Sequence, residues 1–309
     1  MKILFTGASS FTGFWFVREL TRAGHEVVAI CRKTAEEYPD DLRRVRARQL
    51  GEMCRRIHAC SFGDEKFLEL IGEGGWDLLC HHAADVTNYR SPDFNVVAAL
   101  ENNTRNLPAV LEKLKSSGCR RMLLTGSVFE NDEGAGSGGH QAFSPYGLSK
   151  ALTWQSFRYY ADRAGLGLGK FVIPNPFGPY EEPRFTAYLM KNWFAGVTPA
   201  VNTPSYVRDN IHVSLLAKNY ATFAAQIPDR GIVRINPSGY AESQGAFTMR
   251  LATEMRRRLN LPCDVELKTQ TDFSEPRIRI NTDVPDVKDW NESIAWDEMA
   301  AYYKQLYKK

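Results

Sequence analysis

Five short apolar runs punctuate the first 173 residues: KILFTG, HEVVAICR, DLLCHHA, CRRMLLTGS and LGKFVIPN. Between several of them the apolar residues recur at helical spacing, as in Phe94 to Ser117 and Tyr146 to Ala164. This alternation constrains the fold more than any other feature. A strand that is apolar along its whole length is buried on both faces, and helices are what cover those faces. Strand, helix, strand repeated this way predicts an α/β fold with a doubly wound, Rossmann-type parallel sheet. After Pro174 the order loosens. Prolines cluster, a helix is expected near Arg184 to Gly196, and YVRDNIHVSLLAKNYATFAA follows. The run GIVRINP then predicts a further strand, ahead of a helical stretch from Glu242 to Leu259. The expected organisation is a first domain over 1–173, with 208–240 returning to it. A smaller C-terminal α/β domain, for substrate binding, is expected over 174–207 and 241–309.

Composition narrows the class. With 309 residues, 43% of them hydrophobic, the chain can bury one large core or two interlocked ones. A net charge of +3 is nearly neutral for this size and predicts neither nucleic acid nor a membrane surface as partner. No apolar run approaches the ~20 residues that span a bilayer. The chain enters a strand directly at Lys2 to Phe5, without a cleavable leader pattern. Six cysteines, Cys31, Cys54, Cys60, Cys80, Cys119 and Cys263, show no paired spacing, so reduced thiols and a cytoplasmic location are expected. EGAGSGG, Glu133 to Gly139, reads as a flexible surface loop.

The stretch FTGASSFTG, Phe5 to Gly13, places Gly7 behind a strand and Gly13 inside the following helix. A pyrophosphate on a helix N-terminus needs such a tight turn and close backbone approach. Ser10 holds the middle slot, where a hydroxyl reaches a phosphate oxygen. At the end of the second strand, where a ribose-binding carboxylate is expected for NAD, the text is ICRK. Cys31 stands in that slot, and Arg32 and Lys33 suit a 2′-phosphate, so NADP(H) is favoured and NAD(H) is the alternative. Further on, FSPYGLSKALTW holds Tyr146 and Lys150 four apart, on one face of a helix. A phenol titrates near ~10, and a neighbouring ammonium lowers that value.

Turn and pair together resemble the extended short-chain dehydrogenase/reductase superfamily, and the resemblance extends through nearly the whole chain. HHAAD (His81 to Asp85), NTRNLPAVL (from Asn103), NPFGPYEEP (from Asn175), RDNIHV (Arg208 to Val213) and EPR (Glu275 to Arg277) resemble its further motifs in order. Departures are Ser10 for glycine, Asn106-Leu107 for Gly-Thr, and Phe129 and Phe177 for tyrosines. The resemblance implies an NAD(P)-dependent enzyme acting on a nucleotide-diphosphate sugar, assembled as a homodimer. It implies cofactor contacts from Gly7, Ser9, Ser10, Phe11, Thr12, Gly13, Arg32, Lys33, Ser61, Phe62, His82, Ala83, Ala84, Asn103, Tyr146, Lys150 and Pro174. Tyr146 would exchange the proton, and Lys150 would hold the nicotinamide ribose. A Ser or Thr at the end of the fifth strand would bind the reacting oxygen. Counting forward along that strand selects Ser127, and counting back from Phe129 selects Thr125. The strand keeps register better than the loop, so Ser127 is preferred. Asp85, Thr87, Ser127, Asn175, Arg208 and Arg277 are expected on the substrate, the two arginines on its diphosphate.

Other features have plainer readings. His81-His82 lacks spaced partners for a metal, and Arg43 to Arg56 carries Val45, Leu50 and Met53 at the spacing of an amphipathic surface helix. IAWDEMAAYYKQLY, from Ile294, reads as a packed terminal helix. Among reactions, the basic pair favours net consumption of NADPH. Gly126-Ser127 stands where a 4,6-dehydratase would carry Asp-Glu. The expected activity is reduction of a nucleotide-linked 4-keto sugar, with epimerisation as the alternative, and a non-catalytic NADP-binding role as the reading from another class.

Overall fold

The computed structural model describes residues 1–137 and 141–307. The elements run β1 (Lys2–Thr6), α1 (Phe11–Arg22), β2 (Glu26–Cys31), α2 (Asp41–Met53), β3 (Arg55–His58), α3 (Glu65–Gly72) and β4 (Leu78–His81). There follow α4 (Val96–Asn103), α5 (Leu107–Ser116), β5 (Arg121–Ser127), β6 (Ala135–Gly136), α6 (Pro145–Ala164) and β7 (Gly167–Ile173). The remainder is β8 (Asn175–Phe177), α7 (Phe185–Phe194), β9 (Ala200–Val201), β10 (Val207–His212), α8 (Val213–Gln226) and β11 (Gly231–Ile235). It closes with β12 (Tyr240–Ser243), α9 (Gln244–Leu259), β13 (Glu266–Leu267), β14 (Ile278–Ile280) and α10 (Glu292–Tyr307).

Two compact units emerge. The first takes in Met1–Glu133, 141–173 and Ala217–Asn236. Its seven-stranded sheet runs β11-β7-β5-β4-β1-β2-β3, every pairing parallel, which is the doubly wound Rossmann order with its reversal between β1 and β4. At that reversal Thr6 pairs with His81, so the C-terminal ends of β1 and β4 lie side by side. One face is covered by α3, α5 and α6, whose Phe67, Leu111 and Phe157 pack on Leu4, Leu79 and Leu124. On the other, Phe16 of α1 stacks on Tyr220 of α8 at 3.9 Å, with Phe171 of β7 edge-on. The interval from Phe94 to Ser117 is two helices rather than one. Asn106 adopts φ 51°, a left-handed turn that ends the first before α5 begins.

The second unit comprises 134–137, Pro174–Leu216 and 237–307. β10 sits at the centre of its sheet, antiparallel to β12 and parallel to β14 and β8. The segment returning to the first unit therefore starts at Ala217, not at Arg208, because β10 pairs with these strands instead of joining the seven-stranded sheet. The glycine-rich EGAGSGG is not simply a surface loop. Ala135 and Gly136 form β6 against β14, and a Cβ at Gly136 would lie 1.9 Å from the Ile278 carbonyl oxygen. Gly138 and Gly139 fall outside the described residues. Helices α7, α9 and α10 enclose the second core, around Trp193, Phe247, Met255, Trp296 and Met299.

Candidate active site

The turn between β1 and α1 is closed by backbone geometry. Gly7 adopts φ +82°, and a Cβ there would stand 2.7 Å from the Ala83 nitrogen. At Gly13 a Cβ would stand 2.3 Å from the Gly7 carbonyl oxygen. Ser10 is the N-cap of α1. Its hydroxyl donates to the Gly7 carbonyl at 2.9 Å, accepts from the Gly13 N–H at 3.1 Å and lies 3.0 Å from His82 Nε2. The serine thus ties the turn to itself and to the end of β4, a use the sequence did not suggest. Phe11 is buried, and Thr12 Oγ1 reaches the same His82 nitrogen at 3.1 Å. With no acidic residue in its first turn, the positive end of α1 is unopposed. A cradle too tight for any Cβ, at the N-terminus of such a helix, fits the pyrophosphate of a dinucleotide.

Two residues beside this turn carried no sequence signal. Arg43 of α2 donates from Nε to Ser9 Oγ at 3.2 Å, and the buried Arg46 donates to the Ser9 carbonyl at 3.1 Å. The Tyr38 hydroxyl also meets Ser9 Oγ, at 3.0 Å, beneath the Arg43 guanidinium. Arg32 and Lys33, past the end of β2, are exposed. In an amphipathic pattern arginines read as solvated, so only the fold places these two against the turn.

At the end of β4 the histidines are part of the scaffold. His81 bonds Thr6 Oγ1 at 2.9 Å and the Asn103 carbonyl at 3.1 Å, with the Phe62 ring 4.0 Å from its own. His82 bonds Thr125 Oγ1 at 2.9 Å. Burial pushes both imidazoles down to about 3, so both are neutral. Among the described residues no cluster of His, Cys, Asp and Glu could hold a metal ion. Ala83 donates to Thr6 Oγ1, and Ser61, ahead of α3, donates to Asp64. Asn103 accepts from the Asp85 N–H and donates to Thr153 of α6, joining the strand end to the helix of the Tyr-Lys pair. Asp85 accepts from the Thr87 N–H and from Asn102.

Tyr146 and Lys150 occupy the first turns of α6, which Ser144 caps by accepting the Gly147 N–H. A Cβ at Gly147 would stand 2.2 Å from the Phe129 carbonyl oxygen, so the glycine lets the loop after β5 lie directly against the helix. Tyr146 is half-buried, edge-on to Tyr89 and Phe94. Lys150 is buried and donates to the Thr125 carbonyl at 2.6 Å. The two hydroxyls at the strand end differ in their commitments. Thr125 Oγ1 is bonded to His82, whereas Ser127 Oγ accepts from the Phe129 N–H at 3.2 Å and its own proton is free to donate.

In the second unit, Pro174 and Asn175 lead into β8, and Asn175 donates to the Asp209 carbonyl at 3.2 Å. The structure brings Arg208 and Arg277 together. Arg208 donates to the Arg277 and Pro276 carbonyls and pairs with Glu275 at 2.9 Å. Its guanidinium lies over Tyr206, and that of Arg277 over Phe273. Arg208 thereby holds the Glu275-Pro276-Arg277 segment.

Comparison with known proteins agrees with this architecture. Residues 3–235 match the model of the NAD dependent epimerase/dehydratase family, three quarters of the chain. The chain belongs to that family. The expected extended short-chain dehydrogenase/reductase fold and enzyme class are met. A search of curated proteins finds no match. Among solved structures, the UDP-glucose 4-epimerase of Thermotoga maritima with UDP-glucose is 17% identical, covers 99% of each chain and has a TM-score of 0.75. UDP-glucuronic acid 4-epimerase from Bacillus cereus, with UDP-glucuronic acid and NAD, is 18% identical over 99% of this chain and 100% of that one, TM-score 0.72. The dTDP-glucose 4,6-dehydratase of Streptomyces venezuelae, with NAD, is 20% identical over 99% and 97%, TM-score 0.72. At these identities the likeness is one of fold.

Proposed function

We propose that this family member is an NADPH-dependent reductase of a nucleotide-linked keto sugar, with the carbonyl at C4. The basic surround of the first turn carries the reading. β2 ends in Cys31, followed by Arg32 and Lys33, while Arg43 and Arg46 meet Ser9. That charge favours a 2′-phosphate over the bare ribose of NAD. Gly126-Ser127 at the strand end supplies neither carboxylic acid nor carboxylate for dehydration. The nicotinamide, when bound, supplies hydride. Tyr146 then delivers a proton to the sugar oxygen, the Lys150 ammonium lowers the phenol's pKa, and Ser127 donates a hydrogen bond to the same oxygen. Arg208 and Arg277 are the residues proposed to meet the diphosphate. A homodimer is supported by apolar side chains exposed along α4 and α6, Val97, Leu148, Leu152 and Tyr159 among them. A cytoplasmic location is proposed from the unpaired spacing of the cysteines; no helix among the described residues is long and apolar enough to cross a membrane.

NADPH and NADH titrations, followed by addition of nucleotide 4-keto-6-deoxy sugars, test the reading. The expected outcome is tighter NADPH binding and oxidation only when keto sugar is present. Tight retention of NAD with interconversion of an epimer pair and no net oxidation would instead establish epimerisation, the second reading, which the two 4-epimerases of like fold favour. Tyr146→Phe should lower turnover by roughly 10²–10⁴-fold with cofactor affinity kept. Unchanged turnover in that variant would remove Tyr146 from the mechanism. A wild-type protein that binds cofactor without turnover on any sugar would point to a purely binding role.

A further inference from the structure

Three ionisable side chains are sealed inside the first unit beside the end of β5. Lys170, on β7, donates to Glu130 at 2.5 Å and to Glu133 at 2.7 Å. All three are almost wholly buried, the lysine and Glu130 side chains at 1% exposure. The Trp154 ring lies 4.8 Å from the ammonium, and Arg234 reaches Glu133 at 3.5 Å. Ions this deep cost much to desolvate, and a well-packed apolar trio would be at least as stable. Glu130 has a second engagement that an apolar residue could not supply. Its Oε1 accepts the Ser127 N–H at 2.7 Å, while its own N–H donates to the Ser127 carbonyl at 3.0 Å. Gly126 makes the room, since a Cβ there would stand 2.7 Å from Lys170 Cε and 3.0 Å from Glu130 Oε1. Lys150 grips the same segment from the helix side, through the Thr125 carbonyl.

We infer that Glu130, fixed and balanced by Lys170, is a positioning residue: it sets the Ser127 amide and, through that strand end, the surroundings of the Lys150 ammonium held on the Thr125 carbonyl. The consequence for catalysis rests on the roles proposed above for Ser127 and Lys150. Burial pushes the Lys150 ammonium down to about 8; Glu130 opposes that fall and Lys170 adds to it. His81 and His82, both neutral, also interact with Lys150, and Tyr146 stands one turn earlier on α6. Of the groups acting on Lys150, Glu130 is the one that opposes the fall.

The test follows Lys150 directly in the full-length chain. With ¹³C-lysine labelling, its resonance is assigned by its loss in Lys150→Met and titrated in wild type, Glu130→Gln and Glu133→Gln. Glu133→Gln removes the same kind of partner from Lys170 without touching Ser127. The Lys150 midpoint should fall by about one pH unit in Glu130→Gln and by less than about 0.3 in Glu133→Gln. Turnover near pH 7.5 should fall about tenfold in Glu130→Gln, with the cofactor KM within about twofold of wild type. If Glu130→Gln does not fold, Glu130→Gln with Lys170→Gln removes both charges; the larger influence of Glu130 still predicts a midpoint below wild type. An unmoved midpoint in a folded variant overturns the inference. Absence of turnover in wild type defeats the proposed reaction instead, and leaves the titration result standing.

Discussion

Glu130 in the first unit and Glu181 in the second are both buried carboxyls, and they are handled in opposite ways. Glu130 meets a cation and a backbone N–H, so its charge is retained and directed at a strand end. Glu181 meets hydroxyls. The Thr186 hydroxyl lies 2.6 and 2.5 Å from the two carboxyl oxygens, and Tyr303 of α10 donates at 2.6 Å. Burial pushes the Glu181 carboxyl up to about 7, against the pull of those two hydroxyls. Depth alone does not decide ionisation. The partner does, and only the ionised centre has been placed where chemistry is expected.

Removing the cation should give the largest effect. Lys170→Met leaves Glu130 and Glu133 buried together with only the half-exposed Arg234, 3.5 Å from Glu133, as a cation, and should destabilise the protein by roughly 3–5 kcal/mol in urea unfolding. A loss below about 1 kcal/mol would mean that both carboxyls are already neutral, and the contrast with Glu181 would disappear. Burial does raise the Glu133 carboxyl, against its attraction to Lys170, so the variant also tests which carboxylate carries the charge.

Glu181 supplies the next effect, with the opposite dependence on pH. Its folded pKa lies above the unfolded carboxyl's value of 4.5, so the folded state holds the proton more tightly. The stabilisation is complete below pH 4.5 and is lost as the pH rises through about 7. Across that window the loss amounts to about 3 kcal/mol. Glu181→Gln should flatten this stretch of the stability-versus-pH curve. An unchanged curve would show that Glu181 titrates normally.

The two centres were not equally visible in the sequence, and neither was the site. The doubly wound sheet was legible because β1, β4, β5 and β7 are apolar along their length, and the glycine turn because Gly7 and Gly13 admit no side chain. Tyr146 and Lys150 share a helix face by spacing alone. What escaped reading depends on partners far away in sequence. Lys170 interrupts an apolar strand and reads as a local blemish until Glu130 and Glu133 are folded onto it. Arg43 and Arg46 look like solvated face until α2 meets Ser9. Ser10 also closes its own turn, a bond that its place in the sequence does not announce. The split of β10 from the main sheet was equally hidden, since a buried strand carries no mark of the sheet it will join.

The smallest effect sharpens the comparison most, because it alters one donor and leaves every charge in place. Tyr303→Phe deletes a hydroxyl that favours the ionised form of Glu181. At pH 5 the carboxyl is protonated in the folded state, and losing the tyrosine should cost about 0.5–1 kcal/mol. At pH 8 the carboxyl must either ionise with one donor fewer or keep its proton at greater expense, and the cost should rise to about 1–2 kcal/mol. The difference between variant and wild type therefore grows with pH. Urea unfolding at the two pH values measures it. Equal costs would make Tyr303 a packing residue whose hydroxyl is indifferent to the state of Glu181, leaving Thr186 as the hydroxyl that opposes the rise driven by burial.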